Sequence, residues 1–378
     1  MSERKLKAWA DAGLIDADAV GRIRDWEATH SRPLGLWALI GLGALAIGLG
    51  LISVVAANWE DIPGMVRLAI HLALLATTAG LLWWQQTRSE TLSTHFHDAI
   101  LLIFGALGLT FFGHLGQVYQ TSSPLWQPFA IWLLLFTPLL LGFGRGWVVA
   151  TMWMAALCFT ATQHWDWYLG RTRAPSVGFD LMLYQGLVSS IPASVVALAA
   201  WLRGRSARPD FWRRLEQIAL VLVVIWFSFA GLYRLIGGGR DMGAVVAVIQ
   251  STVLGGAAAS VYFARPGKSG QATAVILIAA ALANIASLAA SDSSLGNAIL
   301  FMLIWGVVAA GALHAGWRIV FQIAVGVLAL RLIILSFELA SDLFGSGLGL
   351  ILAGMATLGI AFAAVGVSRN YAPTGDAT

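Results

Sequence analysis

The stretch LGNAILFMLIWGVVAAGALH (295–314) contains no acidic or basic residue apart from its terminal histidine. A run of this length and composition can cross the hydrocarbon core of a bilayer, about 30 Å thick, as one helix. Eleven similar runs lie between residues 34 and 368, separated by short polar turns. The chain is 58% hydrophobic and 11% charged, whereas soluble domains are about 25% charged. The sequence therefore predicts an all-α, polytopic transmembrane helical bundle.

The apolar runs predict about twelve spans, with a short helical hairpin before the first. In that hairpin Gly13 ends one short helix, and Asp16 is a typical N-cap for the next. The predicted spans are 35–57, 64–84, 98–119, 125–143, 146–163, 181–202, 215–236, 242–264, 272–290, 295–314, 317–340 and 346–368. The predicted domains are an amphipathic cytoplasmic hairpin (1–33), a first six-span half (34–202), a basic cytoplasmic linker (203–214), a second six-span half (215–368) and a disordered tail (369–378).

The distribution of Lys and Arg predicts the orientation of these spans. With both termini in the cytoplasm, 17 of the 23 basic residues fall in cytoplasmic segments and five fall outside, while Arg331 lies within a span. Cytoplasmic loops of membrane proteins carry such an excess of positive charge. We therefore expect a multi-pass protein of the bacterial cytoplasmic (inner) membrane. Because the basic residues lie next to spans, the net charge of +4 does not indicate a nucleic-acid partner.

The segment RGRSARPDFWRR (203–214) carries five of these arginines. Its position between six-span halves is reminiscent of transporters built from repeats, but the halves show no convincing residue-level repeat. A solvated linker that contacts anionic lipid is the favoured interpretation.

Polar side chains within spans are energetically expensive and therefore mark candidate sites. Most lie toward the predicted outer ends. Arg67 and His71 are four residues apart and share one helix face. Arg331 lies about 21 Å into its span. The candidate ligand-binding residues are Asn58, Arg67, His71, His114, Gln117, Tyr119, Arg234, Arg331 and Glu338.

Each polar group also has a structural interpretation. His71 and His114 can be hydrogen-bonded structural histidines, and Arg331 needs a carboxylate or carbonyl partner or a water-filled cavity. The interhelical hydrogen bonds of Gln117, Gln250 and Asn284 would contribute about 0.6 kcal/mol each. An interfacial aromatic belt would account for Trp59, Trp126, Trp165, Trp167 and Tyr168.

The chain lacks the short motifs of several enzyme classes. It contains no HExxH, GxxxxGK[ST], GxSxG or CxxC sequence, which removes the motif support for metalloprotease, P-loop, hydrolase and thiol-redox functions. We expect no catalytic residues, no metal and no cofactor. The single cysteine, Cys158, lies within an apolar run and is interpreted as an inert thiol.

Several segments resemble a bacterial family called domain of unknown function 2157. They are GLID (13–16) followed by Trp26, AANW (56–59), GQVYQ (116–120), IWLLLFTP (131–138) and the late run RLIILSFELASDLFGSGLGLILAGMATL (331–358). The resemblance implies a bacterial cytoplasmic membrane protein, sometimes paired with a small companion on the secreted side. It implies no activity and no catalytic residues.

Two functions remain open from the sequence. The first is a small-molecule binding or transport protein with an outward-facing polar cavity formed by the candidate residues. The second is a non-catalytic envelope scaffold that docks other membrane or periplasmic proteins. The expected partners are membrane lipid and, depending on the function, a small-molecule ligand or a companion envelope protein.

Overall fold

The described residues form helices joined by short turns. The computed structural model describes residue 6 and residues 9–30, 62–87, 94–171, 178–235, 243–289, 294–339 and 347–371, and over these ranges it contains no strand. The helices are α1 (Ala17–His30), α2 (Gly64–Thr87), α3 (Thr94–Val118), α4 (Trp126–Phe143), α5 (Trp147–Arg171), α6 (Phe179–Ser189), α7 (Ile191–Arg203), α8 (Pro209–Leu235), α9 (Gly243–Ala264), α10 (Lys268–Ala289), α11 (Ser294–Ala315), α12 (Arg318–Leu339) and α13 (Gly347–Tyr371). The predicted all-α fold is confirmed.

Seven of the described helices are long and apolar enough to cross a membrane, namely α2, α3, α4, α9, α10, α11 and α12. The bent pair α6 and α7 would make an eighth span. The predicted spans 146–163, 215–236 and 346–368 correspond to α5, α8 and α13, which are helical but are not among the seven. The predicted span 35–57 lies outside the described residues. Several membrane-spanning helices are thus present, and a total of twelve stays a prediction.

The chain divides into two compact units, Met1–Ala69 and Ile70–Thr378. In the first unit Asp16 lies one residue before α1 begins. Its carboxylate accepts a hydrogen bond from the Ala19 backbone N–H at 2.6 Å. Gly13 has a φ of +67°, a conformation that glycine adopts without a Cβ clash. The predicted N-cap is confirmed, whereas the hairpin as a whole and the predicted domain boundaries stay predictions.

In the second unit, large side chains from five helices pack into one core. Trp132 of α4, Met154 of α5, Val196 of α7, Leu215 of α8 and Leu254 of α9 are all buried within this cluster. Many apolar side chains point outward, including Leu134, Phe263 and Phe362, which are 76%, 81% and 83% exposed. Soluble monomers rarely expose apolar surface on this scale. The outer surface therefore suits contact with lipid hydrocarbon.

The predicted single span 181–202 consists of two helices, α6 and α7, inclined by 45°. Pro192 explains the bend, because proline lacks the backbone N–H of a helical hydrogen bond and its ring collides with the carbonyl four residues earlier. The Ser190 N–H bonds to the Leu187 carbonyl at 3.1 Å, three residues back. The Ser190 hydroxyl donates to the Gly186 carbonyl at 2.6 Å. The bend lies about halfway along the span.

Arginine side chains fasten several turns together at one end of the second unit. Arg208 donates to the carbonyls of Leu141 and Gly144, both at 2.6 Å, and Arg214 donates to the Arg145 carbonyl. Burial, followed by the charge of nearby Arg145, lowers the pKa of Arg208 from its ordinary value. The turn between α9 and α10 joins this group through Arg265, described below. We call this side, where α4, α7, α9 and α11 end, the basic end.

Glycines allow the turn between α4 and α5 to pass close to its neighbours. A Cβ at Gly144 would lie 2.5 Å from the Leu140 carbonyl oxygen, and one at Gly146 would lie 2.1 Å from an Asp98 carboxylate oxygen. The other Asp98 oxygen accepts a hydrogen bond from the Arg145 backbone N–H at 3.0 Å. The GFGRGW turn (142–147) therefore buries Gly144 and Gly146 against their neighbours, and at these two positions a larger residue would collide.

Candidate functional site

Two of the predicted site residues, His71 of α2 and His114 of α3, are in direct contact. Their Nδ1 atoms lie 2.8 Å apart, and His71 Nε2 lies 2.8 Å from the Leu107 carbonyl oxygen. Because a carbonyl only accepts, His71 Nε2 carries a proton. In the neutral ring His71 Nδ1 then accepts the hydrogen bond from His114 Nδ1–H. These bonds link α2 to α3, as the structural interpretation of the histidines requires.

The remaining predicted residues differ in exposure, and their convergence on this pair stays a prediction. Gln117 and Tyr119 are exposed, and Arg67 and Arg331 are half-buried on α2 and α12. Asn58 lies outside the described residues. Arg234 and Glu338 fall within α8 and α12, but their side chains lie outside the described part of the structure. The outward-facing cavity and a carboxylate or carbonyl partner for Arg331 therefore stay predictions.

A second group of side chains lies at the end opposite the basic end. The aromatic cluster consists of Trp126, at the start of α4, His164, Trp167 and Tyr168, near the end of α5, and Tyr184 of α6. The Trp126 and His164 ring centroids are 4.5 Å apart in an edge-to-face arrangement, and those of Trp126 and Trp167 are 5.3 Å apart. His164 and Tyr184 are joined by a hydrogen bond between Nδ1 and the phenol oxygen. Such pairs stabilise packing beyond the area they bury.

Two buried polar atoms, one in the aromatic cluster and one on the residue after Tyr184, have no hydrogen-bond partner among the described residues. They are Trp126 Nε1, a donor, and Gln185 Oε1, an acceptor. Gln185 directly follows Tyr184 in α6. Most buried polar atoms in proteins are paired, and leaving one unpaired costs about 1–3 kcal/mol. Trp126 Nε1 and Gln185 Oε1 are therefore candidate contacts for a polar molecule.

Hydrogen-bonding side chains also surround the bend between α6 and α7. Gln250 of α9, which is 6% exposed, donates from Nε2 to the Ser189 hydroxyl at 2.6 Å. Ser189 donates in turn to the Gln185 carbonyl at 2.7 Å. We call Gln185, Ser189, Ser190 and Gln250 the bend cluster. Gln185 belongs to it through its backbone, so α6 connects the bend to the aromatic cluster.

Asn284 makes the interhelical contacts expected from the sequence. Its Nδ2 atom lies 3.0 Å from the Ala247 carbonyl oxygen and 3.2 Å from the Ser251 hydroxyl. These bonds, with that of Gln250, confirm the predicted role of both amides between helices. Among the described residues, no group of three or more His, Cys, Asp or Glu side chains could hold a metal ion.

Sequence reasoning missed His164, Tyr184, Gln185 and the bend. Trp126, Trp167 and Tyr168 were interpreted as separate interfacial anchors, whereas they pack around a common histidine. The spacing of His164, Trp167 and Tyr168, at i, i+3 and i+4, places them on one helix face and is a usable signal. Pro192, eleven residues inside a predicted span, was the signal for the bend.

Comparison with known proteins finds one family. No curated protein and no solved structure matches the chain significantly. A family model described as "Predicted membrane protein (DUF2157)" matches residues 7–149, which include α2, α3 and α4. The late segment 331–358, which also prompted the resemblance, lies beyond the matched residues, as do His164 and Tyr184. The predicted resemblance is confirmed over residues 7–149, which match the model of this family of predicted membrane proteins.

Proposed function

We propose that this protein binds a small molecule between the aromatic cluster and the bend cluster, at the end opposite the basic end. The observation that carries the proposal is the pair of buried, unpaired polar atoms, Trp126 Nε1 in the aromatic cluster and Gln185 Oε1 on the residue that follows Tyr184. A bound molecule that accepts from the indole N–H and donates to the amide oxygen would satisfy both atoms. Concave sites with apolar walls and a few polar groups are typical of ligand binding.

The chemistry of the cluster favours a ring compound that carries a donor and an acceptor. The faces and edges of Trp126, Trp167 and Tyr184 offer stacking surfaces for a planar or sugar ring. Arg171 is a charged residue beside these rings, and its guanidinium carbon lies 4.4 Å from the Trp167 ring centroid. The proposal involves no catalytic step, metal or cofactor.

The bent span supports transport as the use of this binding. Many transporters bind their substrate near the bilayer midplane, where a helix is interrupted and its polar groups turn toward the ligand. At 1.5 Å per residue, Ser190 lies about 17 Å from the start of α6 and about 20 Å from the end of α7. This depth is close to half of a hydrocarbon core of about 30 Å. An envelope scaffold would gain nothing from a buried polar bend, although a companion envelope protein remains compatible with either function.

The proposed orientation places the basic end and both termini in the cytoplasm, across about twelve spans of the bacterial inner membrane. Support comes from the contacts of the basic end, since Arg208, Arg214 and Arg265 belong to turns that meet there. Positive charge gathers on the cytoplasmic side of membrane proteins. A ligand would then enter the aromatic cluster from outside the cytoplasm.

Ligand-dependent melting of the full-length protein in detergent tests the binding proposal. Glucose, a sugar ring, and tyrosine, an aromatic ring, serve as probes, with unfolding followed by circular dichroism. A probe at 100 times its Kd should stabilise the protein by about 2.7 kcal/mol. Trp126→Phe keeps the ring and removes the donor, so it should reduce this stabilisation, as should Gln185→Met.

Trp201→Phe is the matched control, because Trp201 is an exposed indole at the end of α7, beside Arg205. It should leave the stabilisation unchanged. No stabilisation by either probe, or an equal stabilisation in Trp126→Phe and the wild type, would contradict the proposal and leave the scaffold function as the better alternative.

A further inference from the structure

A groove of about 840 Å³ runs between α9, α10 and α11, away from the aromatic and bend clusters. Its walls are mostly apolar and its side is open, with Gly255, Phe263 and Val275 all exposed. The volume falls within the range of about 300–1,000 Å³ that is typical of small-molecule sites. Because all three helices are apolar enough to cross a membrane, we expect the open side to face the lipid hydrocarbon.

The groove begins at the basic end and has a polar mouth there. His314, near the end of α11, and Gln271, in the first turn of α10, line it, with His314 Nε2 lying 3.2 Å from Gln271 Oε1. The amide nitrogen of Gln271 carries two N–H donors. Lys268 precedes Gln271 by three residues and Val275 by seven, so its exposed ammonium lies on the groove-lining face of α10.

The length of the groove fits one lipid tail. From Gly255 to Phe263 the wall formed by α9 extends about 12 Å at 1.5 Å per residue. One leaflet contributes about 15 Å to the hydrocarbon core of a bilayer. We propose that the groove is a binding site for one anionic phospholipid from the leaflet at the basic end. One acyl chain occupies the apolar groove, and the headgroup phosphate binds at Lys268 and at the Gln271 amide nitrogen, while His314 Nε2–H donates to Gln271 Oε1 and orients that amide.

Charge decides for an anionic lipid over a neutral one. A lysine near the membrane surface contributes about 1 kcal/mol toward anionic lipid, or roughly a fivefold preference. Basic pockets between helices at the membrane surface bind such headgroups. A second copy of this chain would bring another Lys268 and the same basic turns to the mouth, so like charges would meet. The lipid is therefore the better match to the groove and its mouth.

Native mass spectrometry of the full-length protein tests the site. The protein is purified in mild detergent and incubated with phosphatidylglycerol or with phosphatidylcholine of the same acyl chains. We expect one retained phosphatidylglycerol molecule and less phosphatidylcholine. Gly255→Leu should remove most of the retained lipid, because a side chain at Gly255 enters the groove without colliding with the protein. Gly256→Leu is the control, since Gly256 has the same open space but does not line the groove.

Lys268→Gln tests the headgroup contact at an exposed position that does not threaten folding. It should reduce the preference for phosphatidylglycerol over phosphatidylcholine about fivefold, while the melting temperature stays unchanged. Equal retention by Gly255→Leu and Gly256→Leu would overturn the acyl-chain site, and equal retention of the two lipids by the wild type would overturn the anionic headgroup. A dimer that Gly255→Leu dissociates would identify a second copy as the occupant and would also overturn the proposal.

Discussion

Replacing Glu216 with Gln removes the carboxylate of a buried ion cluster. Glu216 of α8 is 2% exposed, and Arg265 donates from Nη1 to its Oε1 atom. Arg203 Nη1 lies 3.6 Å from the other carboxylate oxygen, Oε2. Arg265 also donates from Nη2 to the Ser269 hydroxyl at 2.6 Å. The cluster therefore joins the end of α7, the first turns of α8 and the turn that leads into α10.

Glu216→Gln leaves two guanidinium groups facing each other without their shared anion. Breaking a buried ion pair by removing one partner destabilises a protein by about 3–5 kcal/mol, because the remaining charge is uncompensated. Arg265 and Arg203 are only partly exposed, at 14% and 27% of their side chains, so solvent screens them incompletely. We expect a loss of stability within that range.

Thermal or denaturant unfolding of the detergent-purified protein measures this loss. Asp210→Asn is the control, because Asp210 pairs with Arg213 in the first turn of the same helix while its side chain is 70% exposed. An exposed pair contributes about 0–1 kcal/mol. Replacing Glu216 and Arg265 together with Met should recover part of the loss, since apolar residues can substitute for a buried pair. Equal small effects of Glu216→Gln and Asp210→Asn would refute the reasoning.

Two further predictions concern orientation and the turn between α4 and α5. In a Cys158→Ala background, a cysteine at position 122 should react with a membrane-impermeant thiol reagent in intact cells, and one at position 206 should not. The reason is that Ser122 precedes α4 and Ser206 lies at the basic end. Labelling at position 206 alone would reverse the orientation. Gly146→Ala should destabilise the protein by about 1–3 kcal/mol, because the added methyl group collides with the buried Asp98 carboxylate. The control Gly142→Ala should not lower the unfolding temperature, because its added methyl group meets no atom within 4 Å. Equal unfolding temperatures of the two variants would contradict the proposed collision.

Elements determined by local sequence were predictable here. Uninterrupted apolar runs form helices such as α9 and α11 at the expected positions. Asp16 caps α1 through a hydrogen bond to a residue only three positions later in the sequence. The bend at Pro192 is also determined by local sequence, although the uninterrupted apolar run 181–202 was interpreted as one straight span. Local rules suffice in such places because the interacting atoms are neighbours in the chain.

Contacts between distant segments were not predictable in the same way. The interpretation of residues 203–214 as a solvated linker did not foresee that Arg208 would donate to carbonyls 64 and 67 residues away. Likewise, the approach of Tyr184 to His164 depends on how α5 packs against α6. A single sequence does not distinguish an arginine that contacts lipid from one that donates hydrogen bonds to a turn. Only the packing of the helices decides which backbone carbonyls lie within reach of its side chain.

The Arg208 bonds also bear on how the chain can be divided. The DUF2157 match ends at residue 149, two residues into α5, but the final carbonyls of α4 receive their hydrogen bonds from Arg208, far outside the match. Trp132, within the match, packs in a core completed by α7 and α8. A fragment cut at residue 149 would expose that core and leave those carbonyls unpaired. The end of the match thus falls inside the compact unit Ile70–Thr378, so we expect truncation there to destabilise the remaining fragment.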